Sequence, residues 1–472
     1  MFYPSKEEFV RLSKQGNLIP VYKEILADME TPVSAYKKIA SDYSFLLESV
    51  EGGEKIARYS FIGSNPQKVY KFTGSKDPFP ELKKILAQYK PVKISGLPRF
   101  HGGLVGYLGY DTVKFIEKIK SKNKGDFKLP LIQLMLTDTL LVFDHVKHKI
   151  LVVSNAHVKS NPEKAYNEAV KKIIALEKKL KAPLKSAELE IIEKGKKSFK
   201  YDSNFSREEF SAIVEKAKEH IKAGDIIQVV LSQQLKAKFT GNAFNLYRVL
   251  RTINPSPYMY FLKFGDMKLV GSSPEVMVRL EDHEALIRPI AGTRKRGETE
   301  NEDNRLKEDM LNSEKEKAEH IMLVDLARND LGRVSEPQSV KVTSLMGVEK
   351  YSHVMHMVSN VVSKLKSGMD AIDLFKASFP AGTVSGAPKV RAMEIIEELE
   401  NRKRGPYAGA VGYFSFSGEM DTCITIRTIL LSKGKAYIQA GAGIVADSDP
   451  YLEYQESLNK AKGMLKALEQ TP

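Results

Sequence analysis

Short runs in which apolar positions recur at strand spacing, punctuated by turn residues, mark the first part of the chain at residues 43–50, 57–62, 104–107, 140–144 and 149–153. The period then lengthens, and a Lys-rich stretch from about 163 to 181 carries apolar residues at helical spacing. Pro183 breaks that helix, and the polar residues 184–200 are the best linker. Beyond them Ser206 and Glu209 stand at capping-box spacing, opening an amphipathic helix that carries Phe210, Ile213, Val214 and Ala217. A boundary near residue 195 follows, dividing the chain into 1–195 and 196–472.

The second part has longer strand patterns, at 226–232, 258–264, 276–280, 410–416, 422–431 and 435–440. Helical patterns fall at 311–327, 390–399 and 450–468, the last with Asp449 as N-cap and Pro450 in the first turn. Strands and helices do not alternate as strict βαβ units. An α+β fold is expected, with a large mixed β-sandwich-like core and helices on the outside.

Composition narrows the classes. With 472 residues and 42% hydrophobic, the chain can bury one large core or two ordinary ones. No apolar run reaches the ~18–20 residues that span a bilayer, and residues 1–10 lack the apolar region of a leader. A single cysteine, Cys423, excludes an internal disulfide, so a cytoplasmic protein without membrane attachment is expected. The net charge of +14 invites nucleic acid as a partner. The excess lysine is spread over 171–185 and 194–200 without interleaved aromatics, so no nucleic-acid partner is expected. A basic field equally favours a small dianionic substrate.

Two carboxylate pairs carry the first chemical signal. Glu316 and Glu319 lie three apart on one helical face, and Glu453, Glu456 and Lys460 share a face of the last helix. Four such carboxylates suit a hard divalent cation with positions left for water and a substrate carboxylate. By spacing alone they equally suit two solvated helix faces. The glycines, Thr383 and hydroxyls between Phe379 and Lys389 offer backbone and side-chain donors to an anion, without the spacing of a nucleotide-binding P-loop. Gly441 and Gly443 would let backbone approach a ligand beside the Glu453 helix. On the 422–431 strand, alternation puts Cys423, Thr425 and Arg427 on one face. Arg427 there fits either a carboxylate-binding fork or an edge ion pair, and Cys423 reads as packed and inert. His356 fits either an acid–base role or a hydrogen-bonded place in the core.

Together, Pro289–Thr293, Ala318–Asp330, Pro380–Lys389 and Gly441–Val445 resemble the chorismate-utilising enzymes, most closely the anthranilate synthase component I family. Leu46–Ser49, Arg58–Gly63 and Gly103–Tyr107 extend the resemblance over nearly the whole chain. It implies that family's fold, with an N-terminal regulatory part and a C-terminal chorismate-binding catalytic part. It also implies a lyase reaction in which chorismate is aminated at ring C2, loses its C4 hydroxyl and eliminates pyruvate to leave anthranilate, the first step from chorismate to L-tryptophan. The absence of tryptophan from the chain is in keeping with such a task.

The site residues follow from the same resemblance. Glu319 and Glu456 match direct Mg²⁺ ligands, and Glu316 and Glu453 match ligands acting through metal-bound water. Gly443 and Lys460 match contacts to the ring carboxylate, Tyr407 and Arg427 to the enolpyruvyl group, and Gly292, Thr293, Thr383, Gly441 and Ala442 further chorismate contacts. Glu275 matches the general acid for loss of the hydroxyl, which requires a partly desolvated carboxyl, and His356 the histidine associated with pyruvate elimination. Gln228 stands where water-adding relatives that make isochorismate place a lysine, so ammonia is the expected nucleophile. Ala291 stands where many aminodeoxychorismate synthases carry a lysine nucleophile, and alanine forms no covalent intermediate. A separate glutamine amidotransferase subunit is expected to supply the ammonia, in a heterotetramer of two large and two small subunits. Ser49, Pro257, Tyr258 and Met259 match the site at which L-tryptophan acts as inhibitor.

Overall fold

The computed structural model describes residues 1–49, 58–120, 123, 125, 129–184, 200–351 and 354–471. The expected boundary near 195, most of the 184–200 linker, and the adjoining ends of the 43–50 and 57–62 strands lie outside these residues. The helix beginning at the Ser206–Glu209 capping box is present as Arg207–Lys222, with both reciprocal bonds made.

Two antiparallel sheets form the centre. The larger has twelve strands and runs in the order Leu18–Leu26, Lys149–His157, Thr139–Asp144, Tyr59–Ser64, Tyr43–Glu48, Tyr258–Phe264, Met267–Ser273, Thr428–Ser432, Lys435–Ile444, Gln228–Lys238 and Gly386–Ala387, with Asp202–Ser203 paired beside Gln228–Lys238. The second has ten and runs Ile290–Lys295, Val354–Lys364, Glu284–Ile287, Val276–Glu281, Met420–Ile424, Ala410–Ser415, Gly103–Leu108, Ile132–Thr137 and Lys68–Phe72, with Lys341–Lys350 beside Val354–Lys364. Every pairing between these strands is antiparallel, which fits the expectation of α+β rather than a doubly wound parallel sheet. In each sheet the strands that precede residue 185 and those that follow 199 form contiguous blocks. The blocks meet where Leu46 pairs Phe261 in one sheet and Tyr107 pairs Val411 in the other.

The sheets face each other across Phe45, Phe61, Tyr260 and Leu262 from the first and Val105, Tyr107, Tyr413 and Cys423 from the second. Helices cover the sheets, Pro162–Lys181, Pro450–Glu469 and Lys389–Leu399 on the first and Glu314–Gly332 on the second. This layering explains why Gly103–Leu108 is buried at every position. Tyr107 points into the space between the sheets and its neighbour Leu108 toward the helices.

Two of the expected elements are each divided in two, and the strands expected at 226–232 and 435–440 run on to Lys238 and Ile444. The helix expected at 311–327 is two helices, Glu300–Asn312 and Glu314–Gly332, because Ser313 takes an extended backbone and caps the second with its hydroxyl on the Glu316 N–H. The strand expected at 422–431 is also two, Met420–Ile424 in the second sheet and Thr428–Ser432 in the first. The chain changes sheets at Thr425–Arg427, with Arg427 in the left-handed region at φ 48°. A regular strand would have put its guanidinium on the face of Cys423, in the apolar space between the sheets. Leaving the strand aims it elsewhere.

Candidate active site

Arg427 is aimed into a cavity of about 1850 Å³. Its walls come from Gln228–Lys238 and Lys435–Ile444 in the first sheet, Ile290–Lys295 and Val354–Lys364 in the second, the helices Glu314–Gly332 and Pro450–Glu469, and the turn Gly382–Val384. Fourteen of the residues assigned to chorismate, catalysis or metal line it: Gln228, Glu275, Gly292, Thr293, Glu316, Glu319, His356, Thr383, Tyr407, Arg427, Gly441, Gly443, Glu453 and Lys460, with Glu456 as the fifteenth. Ala442 is the exception. Strand alternation turns its methyl into the core, so the strand presents Gly441 and Gly443 to the cavity.

The two carboxylate-bearing helices meet at this cavity. An ion pair from Lys315 to Asp447, at 3.3 Å, ties the start of one to the loop before the other. Glu319 accepts from Gln228 Nε2 at 3.2 Å. Glu316 takes Arg294 on one oxygen and leaves Oε2 buried without a partner. Gly292, at φ 64°, makes room for that oxygen, since a Cβ there would lie 2.7 Å from it. On the final helix Glu453 accepts from Ser448 Oγ at 2.7 Å, and burial first, then the charge of Glu456, pushes its carboxyl above the usual range. Lys460 bridges Glu456 Oε1 at 2.7 Å and the Gly441 carbonyl at 3.0 Å. Among the described residues no three His, Cys, Asp or Glu side chains converge as a closed metal cage.

Glu275 lies just beyond Met267–Ser273. Its carbonyl accepts from Ile424 N at 3.0 Å, which fixes it against the strand leading to Arg427. Burial pushes its carboxyl up to about 8, opposed by the Thr383 hydroxyl, the Arg427 guanidinium and the Lys460 ammonium. The acid is therefore protonated at neutral pH while facing two cations. The Thr383 hydroxyl is buried beside the Glu275 carboxyl and has no other partner among the described residues. His356 Nδ1 lies 3.1 Å from the Gly292 carbonyl and 3.0 Å from Thr293 Oγ1. Burial lowers its proton affinity, and a carbonyl only accepts, so the neutral ring carries its proton on Nδ1 and keeps the lone pair on Nε2.

A second cavity, of about 700 Å³, collects Ser49, Pro257, Tyr258 and Met259. Asp421 holds one side of it together, accepting from Tyr258 at 2.9 Å, Arg99 at 3.0 Å and Arg279 at 3.1 Å. Ser49 Oγ is buried without a partner. Cys423 also lines this cavity, its thiol pushed up by burial, in keeping with a packed, unreactive residue.

A family model described as chorismate binding enzyme matches residues 42–466. The chain belongs to this family. This chorismate-binding enzyme is 50% identical to anthranilate synthase component 1 of Acetivibrio thermocellus, over 100% of the chain and 99% of the relative. It is 51% identical to the protein of that name from Aquifex aeolicus, with 98% and 97% covered. Among solved structures it matches anthranilate synthase component I from Streptococcus pneumoniae TIGR4 with a TM-score of 0.79 at 39% identity, over 93% of this chain and 99% of that one.

Sequence reasoning missed residues that hold the carboxylates and loops of the cavity in place. Arg294 binds Glu316, and strand alternation two residues beyond Gly292 was the available signal. Lys389 and Asp330 form a buried pair, at 2.7 and 2.8 Å, that pins the end of the Pro380–Lys389 loop to the Glu316 helix. They end the segments Pro380–Lys389 and Ala318–Asp330, and a charge of opposite sign at each end was the signal.

Proposed function

We infer that this chain is the synthase component of an anthranilate synthase, converting chorismate and ammonia to anthranilate, pyruvate and water. The observation that carries the reading is Glu275, a buried carboxyl lining one cavity with Arg427 and Lys460, a setting of the right chemistry for a dianion. Arg427 and Tyr407 hold the enolpyruvyl group, and Lys460 with the Gly443 backbone holds the ring carboxylate. Ammonia attacks ring C2 while Glu275 gives its proton to the C4 hydroxyl, which leaves as water. His356 serves the later elimination of pyruvate. Gln228 Nε2 is already committed to Glu319 and is no base, so water is not activated at the position where isochorismate-forming relatives keep a lysine. Ala291 offers no nucleophile.

The carboxylates fit Mg²⁺. Glu316 Oε2 is an unpaired buried acceptor, and burial together with the neighbouring charge of Glu456 pushes the Glu453 carboxyl up, a cost that a cation would relieve. Glu319 and Glu456 would hold the ion directly and Glu316 and Glu453 through its water. When bound it supplies positive charge for the ring carboxylate.

A separate glutaminase subunit completes the reading, in a cytoplasmic heterotetramer of two large and two small subunits. No helix among the described residues is long and apolar enough to cross a membrane. A glutaminase needs a reactive cysteine, and the chain's one thiol is buried. The isolated chain should therefore form anthranilate from chorismate, Mg²⁺ and an ammonium salt but not from glutamine, read by fluorescence and mass. Glutamine use without a partner would sink the two-subunit reading, and a product that retains the pyruvyl group would make it an aminodeoxychorismate synthase.

The 700 Å³ cavity is assigned to L-tryptophan as feedback inhibitor. Residues 1–195 contribute Ser49 to it and form the regulatory part, and 196–472 carry every residue assigned to chorismate. A phenylalanine at position 49 would fill the space beside Tyr258 and Met259. Ser49→Phe is expected to raise the tryptophan concentration for half-inhibition at least about tenfold while leaving kcat near the parent's. Inhibition curves that superimpose would remove Ser49 from the site.

A further inference from the structure

Arg404 is 2% exposed, and Glu400, its ion-pair partner four residues before, is 4% exposed. Neither side chain lines the chorismate cavity, yet both fasten groups that do. Arg404 gives Nε and Nη2 to the two Glu400 oxygens at 3.0 and 2.6 Å. Its Nη1 donates to the Val384 carbonyl at 2.7 Å and Nη2 to the Val230 carbonyl at 2.7 Å. The guanidinium also lies between two rings, 4.8 Å from the Tyr110 centroid and 5.5 Å from that of Tyr407. Glu400 Oε1 in turn accepts the backbone N–H and hydroxyl of Ser232, both at 2.8 Å, and Ser232 accepts Gln439 of the cavity wall at 2.9 Å.

These bonds converge on three walls. Val384 adjoins Thr383, Val230 stands two residues from Gln228 on the same strand, and Tyr407 lies with its hydroxyl over Gly441, where a Cβ would come within 3.0 Å of it. We propose that Arg404, clamped by Glu400, is a positioning residue that sets the spacing of the Thr383 turn, the Gln228 strand and Tyr407 around chorismate.

The chemistry favours this over a role in stability alone. Taking two charges out of water costs free energy that their attraction barely repays, and apolar residues of similar size often hold a core as well. What apolar residues lack is a planar fork that reaches carbonyls on two different elements and a carboxylate at fixed angles, and lysine lacks it too. The walls that Arg404 fastens carry substrate contacts, so loosening them is expected to weaken chorismate binding before it slows the chemical step.

The proposal rests on the chorismate reading, so the parent chain is assayed first with chorismate, Mg²⁺ and ammonium. A parent that forms no anthranilate overturns that reading itself. With an active parent, Arg404→Lys keeps the charge and removes the fork. KM for chorismate is expected to rise about tenfold while kcat changes by less than about threefold. A purely structural residue gives the opposite split, because a smaller folded fraction lowers kcat and leaves KM alone. Where the lysine variant does not fold, Arg404→Met combined with Glu400→Leu removes both buried charges together, and Glu400→Gln keeps the shape of the pair. Both are expected to raise KM. A folded variant from this set with the parent's KM overturns the proposal.

Discussion

Glu275→Gln is expected to lower kcat for anthranilate formation about a thousandfold while the protein stays folded and binds chorismate, because glutamine keeps the shape of the acid and cannot release a proton. The departing C4 hydroxyl needs that proton. At an ordinary carboxyl the proton would be gone at neutral pH, whereas here burial keeps it until about 8. The active form is the protonated one, so parental kcat should hold below that value and fall as pH rises through it. Rates must be compared at constant free ammonia, since the nucleophile itself is lost as ammonium at low pH. Linkage gives the same sign for stability. The folded carboxyl binds its proton more tightly than the unfolded one, so its contribution is full below about 4.5 and lost as pH rises toward about 8. The glutamine variant should lose that part of the pH dependence of Tm. A kcat within about threefold of the parent's would take the proton donor elsewhere.

How far the sequence carries toward this site depends on whether the determinant is local. The final helix was legible to its first residue, because Asp449 caps it through Leu452 N and Pro450 presets the first turn. The carboxylate pairs were legible as helix faces by spacing alone. Whether those faces meet water or a substrate is a long-range matter. It depends on which helices pack over the paired Gln228–Lys238 and Lys435–Ile444 strands, where Gln228 meets Glu319 and Lys460 meets the Gly441 carbonyl. Arg427 shows the same limit from the other side. Its role as a fork was suggested by a strand pattern that does not continue, and it reaches the cavity because the chain changes sheets beneath it.

Arg404 was not legible at all. In Arg402-Lys-Arg404 it reads as surface charge, and its i, i+4 spacing from Glu400 marks an ordinary exposed helix pair. The turn at Val384, the strand at Val230 and the rings of Tyr110 and Tyr407 bury it, and all but Tyr407 are distant in sequence. The Ser49, Tyr258 and Met259 grouping lies between these extremes. Two of its segments pair as neighbouring strands, Met259 opposite Glu48, which an antiparallel register supplies once both strands are known.

The largest effect beside that of Glu275 is expected at Glu319. It stands on the same helical face as Glu316, and its free capacity points into a cavity whose other acidic helix is held by Lys460. Glu319→Ala is expected to lower kcat/KM at saturating Mg²⁺ on the order of 10²–10³, since a direct ligand to a charge-neutralising cation is removed. Glu316→Ala should cost about ten- to a hundredfold, as a water-mediated partner would, and Arg294 would then be left without that carboxylate. Chelation should abolish parental activity and added Mg²⁺ restore it. The division of labour is checked without turnover by calorimetric Mg²⁺ titration, in which Glu319→Ala loses more affinity than Glu316→Ala. Equal losses would make the two carboxylates equivalent, and unchanged affinity in both would move the cation off this helix.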